Sequence, residues 1–386
     1  MGYQILTDDQ ITVLTRLRHA LHSAPELSGE ERATAGAVSA FLRLTEPDAI
    51  IEGLGGYGLA VIYEGRATGP TVMFRAELDG LPITERSTAA HGSRRHGMAH
   101  ACGHDGHMAI LAGLGVWLGK NRPESGRVIL LFQPAEETGA GARAVLADPK
   151  FAPLRPDWAF ALHNMPGLPL GAMAVGSGPA SCASVGLHLR YKGRAAHASM
   201  PETGISPTSA LMALMAEIAS QPDAQAMGPE FRLATLCHLS MGAPSFGIAP
   251  GHADMRVTLR TVTDAALDDF EHAFIAQAHA GCGALELTVS RHDHFNATDN
   301  DALAAAHVVR AAQTLGIATA DFALPMRPSE DFGAFSGTTR TALFFLGAGE
   351  VHPALHNPDY DFPDALIAPG CALFSEVLAQ VMAAPH

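Results

Sequence analysis

The segment His100-Ala-Cys-Gly-His-Asp-Gly-His107 gathers three histidines, a cysteine and an aspartate into eight residues, directly before the apolar, helix-like run Met108–Leu118. Thiolate, imidazole and carboxylate are donors for divalent metals, and packing alone does not explain such density at a loop-to-helix junction. A second cluster, Gln133-Pro-Ala-Glu-Glu137, sets two carboxylates side by side after an apolar run. Such a pair has a natural division of labour, in which one carboxylate binds metal and the other takes a proton from a metal-bound water.

The elements that must position these groups are short apolar runs. Thr71–Phe74, Arg127–Phe132, Trp158–Leu162 and Thr341–Leu346 read as strands buried on both faces, and they alternate with helix-like stretches in an α/β pattern. Each run leads into polar sequence. Phe74 precedes Arg75-Ala-Glu-Leu-Asp79, Phe132 precedes Glu136 and Glu137, Leu162 precedes His163 and Asn164, and Leu346 precedes a glycine-rich turn and then His352–His356. In open α/β sheets ligands bind beyond the carboxyl ends of strands, so these four endings and the 100–107 loop are predicted to share one cleft. Each residue also has a plainer reading. His163 suits a hydrogen-bonded core position, Glu136-Glu137 a solvated helix start, Cys102 an inert buried thiol and His356 a turn. Their coincidence is what favours a metal site.

The composition narrows the field. A chain of 386 residues with 47% hydrophobic and 17% charged residues describes a globular protein of one large or two ordinary domains. A formal net charge of −14 argues against nucleic acid and anionic membranes as partners. The start, Met1–Gln10, lacks the basic segment and apolar core of a signal peptide, and no run reaches the roughly 20 apolar residues that span a bilayer. Five scattered cysteines suggest no disulfide framework, which makes a reducing, cytoplasmic setting the expectation.

Between residues 183 and 294 the pattern changes. Val185–Tyr191 alternates with period two; a helix with Ser206 at its cap and Pro207 at its first position runs to Ser220. Strands at 231–241 and 252–261, a helix over 264–280 and a strand at 285–291 complete the order βαββαβ of a ferredoxin-like domain. The reading is therefore of an α/β protein with a discontinuous first domain, 1–182 and 295–386, and an inserted domain, 183–294. Gly178-Pro179 and Asn296–Asn300 look like the linkers about which the insert would hinge.

These motifs resemble those of the N-acyl-amino-acid amidohydrolases, which include hippurate hydrolase, aminoacylase-like enzymes and plant auxin-conjugate hydrolases, and which are related to zinc exopeptidases such as carboxypeptidase G. The similarity runs from Arg18-His-Ala-Leu-His-Ser-Ala-Pro-Glu-Leu-Ser28 through Glu77–Pro82, His100–His107 and Gln133–Glu137 to Gly193–Pro201, Ser329–Phe332 and Leu355–Phe362. The resemblance implies a zinc-exopeptidase-like catalytic domain with an inserted lid and dimerisation domain, and so a homodimer or higher homo-oligomer. It implies two divalent metal ions, zinc or manganese with cobalt or nickel possible on donor grounds, held by Cys102, His104, Glu137, His163 and His356. It further implies Glu136 as general base, Asp79 orienting the site from behind, and His197 stabilising the oxyanion across a subunit interface. His100, Asp105 and His107 are left to shape the loop.

Two departures from the family pattern stand out: Glu77 where relatives commonly carry aspartate, and Gly247 where they carry an asparagine that helps hold substrate. Neither touches the implied ligands or Glu136. Arg327 is a candidate for gripping a substrate carboxylate with two hydrogen bonds, against the alternative of a structural ion pair. The implied activity is hydrolysis of a small-molecule N-acyl amino acid. The alternatives are a dipeptidase or exopeptidase with the same dinuclear chemistry, a metal-binding protein without catalysis, and a hydrolase with Cys102 as nucleophile.

Overall fold

The computed structural model describes residues 5–221 and 226–383. Residues 1–4 and 384–386 of the expected catalytic domain, and 222–225 of the expected insert, lie outside the described residues. The chain divides into two compact units, one drawn from Met1–Ala180, Thr298–Leu324 and Glu330–His386, the other from Ser181–Ala297 and Pro325–Ser329. The last segment lies outside the insert read from sequence. It joins the second unit because Arg260 donates to the Arg327 carbonyl and the Ser329 hydroxyl (both 2.6 Å), and Cys182 N–H donates to the Met326 carbonyl (3.2 Å).

The first unit is built on a seven-stranded sheet. Its strands lie in the order Ala49–Leu54, Gly58–Glu64, Ser125–Gln133, Ala67–Glu77, Trp158–Pro166, Arg340–Gly349 and Met173–Ala174. The four strands from Ser125–Gln133 to Arg340–Gly349 are mutually parallel, so their carboxyl ends share one edge of the sheet. Two of them meet one helix, Ile367–Met382, through aromatic contacts, and a third stacks on the first of these. Phe74 lies 5.6 Å from Phe160 and 4.9 Å from Phe374, and Phe344 lies 5.8 Å from Phe374, centroid to centroid. All four rings are buried, each contributing roughly 1.5–3 kcal/mol through burial.

The stretch Asp364–Met382 is 19 residues long with mean hydropathy 1.6, long and apolar enough to cross a bilayer. Ser375, Glu376 and Gln380 interrupt its apolar residues, so it is not an unbroken apolar run of the kind sought in the sequence. Two-thirds of its apolar window (67%) is buried inside the first unit, with Cys371, Phe374 and Val377 facing the core. It is a core helix. The helix His104–Leu118 is likewise buried almost all round, the condition of a helix enclosed by its own protein.

The first helix, Asp8–His22, begins with a capping box in which the Thr7 hydroxyl accepts from Gln10 N–H and the Gln10 side chain accepts from Thr7 N–H. Its far end is tied to the 104–118 helix by charge. Arg18, fully buried, reaches Asp105 at 3.0 Å, Asp361 at 2.7 Å and Asp364 at 2.6 Å. His22 Nδ1 donates to Asp105 at 2.9 Å, while its Nε2 lies 3.3 Å from Glu85. Burial alone would lower the His22 pKa, but Asp105, Asp361 and Glu85 outweigh it and raise the value to about 9. A histidine whose folded pKa lies above its unfolded value near 6.5 stabilises fully below pH 6.5, and that stabilisation is lost as pH rises through about 9. Unfolding free energy should therefore fall by on the order of 2–3 kcal/mol between pH 6.5 and 9.5 from this group. Denaturant titrations of the wild type and His22→Asn at both pH values check this; an unchanged pH slope in the variant would rule out His22 as the titrating group.

The second unit is a four-stranded antiparallel sheet in the order Arg232–Met241, His252–Thr261, Ala183–Lys192, Glu286–Phe295, with helices Thr208–Ser220 and Asp264–Ala280. This is the ferredoxin-like order read from the sequence. Val185, Leu187, Leu189 and Tyr191 alternate into its core with Val257, Leu259, Leu267 and Phe274. The first helix starts at Thr208 with Pro207 in the cap position, one residue later than the spacing predicts. The Ser206 hydroxyl still accepts the Thr208 N–H at 3.4 Å, so the difference is one of where the last regular dihedral falls.

Candidate metal centre

Cys102, His104, Glu136, Glu137, His163 and His356 come together at the carboxyl edge of the parallel strands. Donor atoms of Cys102, His104 and His163 all lie within 4.8 Å of one another, as do those of Cys102, Glu137 and His356, and those of His104, Glu136 and Glu137. Three backbone features aim these side chains. Gly103, at φ 91°, starts the 104–118 helix, and a Cβ there would meet the Asn164 amide at 2.3 Å. Ala135 (φ 51°) and His356 (φ 65°) adopt left-handed backbone that non-glycine residues rarely take, a strain that clusters at functional sites.

The hydrogen bonds fix which nitrogens face inward. His104 Nδ1 lies 2.8 Å from the Asp79 carbonyl; a carbonyl only accepts, so Nδ1 donates and Nε2 turns towards Glu136 and Glu137, at 3.9 and 3.8 Å. His163 Nδ1 donates in the same way to the Asn164 carbonyl at 2.7 Å, leaving Nε2 3.5 Å from Cys102 Sγ. Burial, reinforced by His107, lowers the His163 pKa to about 3, so its ring is neutral, the form that ligates. Burial and then His104 likewise lower the pKa of His356, which stands 3.6 Å from Glu137.

Asp79 lies behind these side chains rather than among them. Its Oδ2 accepts from the Ser28 hydroxyl (2.7 Å) and from Glu137 N–H (3.0 Å), and its carbonyl holds His104. His107 is fully engaged elsewhere: Nδ1 donates to Glu77 at 2.6 Å and Nε2 accepts from Asn164 N–H at 3.1 Å. Asp105 is taken up by Arg18 and His22. His100 is buried with both ring nitrogens unpartnered, and burial takes its pKa down to about 4.

The donor set fits a cation. His104 Nε2 and Glu137 Oε1 are buried without a hydrogen-bond partner, and each such group costs about 1–3 kcal/mol unless something satisfies it. Burial pushes Glu137 up to about 7, and burial together with Glu330 and Glu137 pushes Glu136 well above the usual carboxylate range. A bound divalent cation supplies the missing positive charge and inverts that local balance.

The sequence reading gave no role to the charged network that underlies this edge. Arg75, wholly buried, contacts Glu77, Glu330 (2.9 Å) and Asp331 (2.5 Å), and donates to the Gln133 side chain at 3.0 Å. Glu136, Glu330 and Asp331 form a further carboxylate group within 4.8 Å. Two charged residues continuing an apolar strand, Phe74-Arg75-Ala76-Glu77, were the available signal. Glu77, the unusual residue, spans Arg75 and His107 with its two oxygens.

The second unit carries His197 and Arg327. His197, exposed, sits on a two-residue strand paired with Ile248–Ala249. Its Nδ1 accepts from Ser199 N–H at 3.2 Å, so the neutral ring bears its proton on Nε2. The Arg327 guanidinium lies 5.6 Å over the Phe231 ring. At Gly247 nothing within 4 Å would oppose a side chain, so no steric cause excludes asparagine there.

An α/β sheet with this donor set at its carboxyl edge defines a metal-dependent hydrolase. The chain belongs to the peptidase family M20/M25/M40, whose family pattern matches residues 73–380. It is 32% identical over 251 residues to the N-acetylcysteine deacetylase of Bacillus subtilis (strain 168), a stretch that spans 65% of this chain and 65% of that relative. It is 27% identical over 366 residues to the hippurate hydrolase of Campylobacter jejuni, covering 94% of each. Among solved structures, the Bacillus subtilis YXEP protein, a dinuclear metal-binding peptidase of the M20 family, matches with a TM-score of 0.83 at 25% identity, over 98% of this chain and 99% of that one. The family resemblance read from the motifs and the α/β fold class with its ferredoxin-like insert are both borne out. The protein is an enzyme, a metal-dependent amide hydrolase.

Proposed function

We propose that the protein cleaves the amide bond of N-acyl-L-amino acids, releasing a carboxylate and a free amino acid. The observation that carries this is Glu136: a buried carboxylate of raised pKa, beside the His104 and Glu137 donors. A site for metal storage needs no such base. The names of the relatives, a deacetylase of N-acetylcysteine and a hippurate hydrolase, support the substrate class.

Cys102, His104, Glu137, His163 and His356 would hold two divalent ions, zinc or manganese in our reading. When bound, such ions lower the pKa of a water and polarise the amide carbonyl. Glu136 takes the proton of the attacking water as the carbon–oxygen bond forms, and delivers it to the amine nitrogen as the carbon–nitrogen bond breaks. Asp79 holds His104 and the Glu137 amide in place. His197 offers its Nε2–H to the developing oxyanion across the subunit interface, and Arg327 its planar fork to the substrate carboxylate. Cys102 is a poor candidate for nucleophile, because burial and then Glu137 push its thiol well above the usual range.

A homodimer through the inserted unit is part of this proposal. Its support is that Arg232–Met241 is an edge strand, with exposed Met241 beside the helix that exposes Met212 and Met215. All five cysteines are free, which supports a reducing, cytoplasmic setting. Metal-reconstituted protein should hydrolyse N-acetyl or N-benzoyl amino acids and leave the matching dipeptides, with their free amino groups, largely untouched. The reverse preference, measured as kcat/KM on paired substrates, would replace this reading with a dipeptidase.

A further inference from the structure

The turn Pro134-Ala135-Glu136-Glu137 is gripped by two buried carboxylates from outside it. Asp79 takes the Glu137 amide at 3.0 Å, and Glu31 takes the Ala135 amide at 2.8 Å. Glu31 has no exposed surface, and the same oxygen also accepts from Gly29 N–H at 2.7 Å. It occupies the cap position of the helix Arg32–Arg43, yet its side chain makes no capping bond to that helix. The carboxylate is committed across the fold instead, to the amide of a residue in left-handed backbone.

The segment around it is fastened to the other side of the site as well. Glu26 accepts from Gly80 N–H at 2.8 Å, and Ser28 donates to Asp79 at 2.7 Å. Residues 26–31 therefore brace the Asp79 loop and the 134–137 turn together. Ala135 is an alanine where glycine would be at ease, so the turn depends on bonds from outside to keep its shape.

We propose that Glu31 is a positioning residue for the Glu136–Glu137 pair, acting through the Ala135 amide. The proposal rests on Glu137 as a ligand and Glu136 as the base. What Glu31 supplies is an acceptor at a set reach, and its charge is incidental. Glu31→Gln keeps an oxygen at that reach, whereas Glu31→Asp keeps the charge but withdraws it by one methylene from Ala135 and Gly29.

Three readouts test this on the full chain: amide hydrogen exchange of a peptide covering 133–138 in metal-free protein, zinc affinity by titration, and kcat and KM on an N-acetyl amino acid. Glu31→Asp and Glu31→Ala should speed exchange in that peptide, weaken zinc binding about 10-fold and lower kcat about 10- to 100-fold with KM within about twofold. Glu31→Gln should stay within about twofold of wild type on all three. Should Glu31→Ala not fold, the contrast between Asp and Gln decides alone. Wild-type exchange and zinc affinity in Glu31→Asp would overturn the proposal, as would a Gln variant as impaired as the Asp variant. If the wild type cleaves no N-acyl amino acid, the substrate reading fails, while exchange and zinc affinity still judge Glu31.

Discussion

Glu136→Gln should lower kcat by about 10³- to 10⁴-fold while metal content and KM stay within about twofold of wild type. The substitution is isosteric and leaves the five implied ligands in place. The hydrogen bond from Asp331 N–H to Glu136 Oε1, at 3.4 Å, can be kept by the amide oxygen. What is lost is the capacity to accept a proton from water and return it to the leaving amine. Metal analysis of the purified variant beside steady-state kinetics separates the two effects. Full activity would remove Glu136 from the reaction. Loss of metal in step with activity would make it a ligand instead.

The second large effect should fall on stability. Arg75→Met removes the cation that faces Glu77, Glu330 and Asp331 and leaves three buried carboxylates without it. Breaking a buried ion pair from one side costs about 3–5 kcal/mol, because the remaining charge stays desolvated. Asp331 is already pushed up to about 7 by burial, even with Arg75 beside it. Denaturant unfolding of Arg75→Met should show that loss, and Arg75→Met/Asp331→Asn should recover part of it by removing one of the orphaned charges. A cost under about 1 kcal/mol would mean that the carboxylates do not depend on Arg75.

The strand positions and the βαββαβ order of the insert were legible because buried strands are apolar runs and half-buried ones alternate, and both patterns survive in a single sequence. Chemistry-bearing residues such as Cys102, His104, Glu136 and Glu137 were legible for a different reason: few packing roles need those types at that density. The Arg75 network escaped because an apolar-run rule ends a strand at its first charge. The strand that seems to stop at Phe74 runs to Glu77; Arg75 finds partners at Glu330 and Asp331, far along the chain, and Glu77 is held by Arg75 and His107. Glu31 escaped because its region has neither period nor cluster. Its importance lies in an amide 104 residues further along the chain, and no local pattern encodes that contact. Ser206 and Pro207 were misplaced by a single position, the scale at which helix ends are defined by dihedral angle more than by residue type.

The parallel pairing of Trp158–Pro166 with Arg340–Gly349 has a consequence for synthesis on the ribosome. The residues between those two strands include the whole second unit, which then has its own sheet and core to complete as it emerges. The first unit must wait. Its sheet gains the Arg340–Gly349 strand, and its edge gains His356, only when about nine-tenths of the 386 residues have been made. On the proposed ligand set, the nascent chain would present Cys102, His104, Glu137 and His163 for a long interval before His356 follows, and complete metal loading would then belong to the last moments of translation or to the released protein.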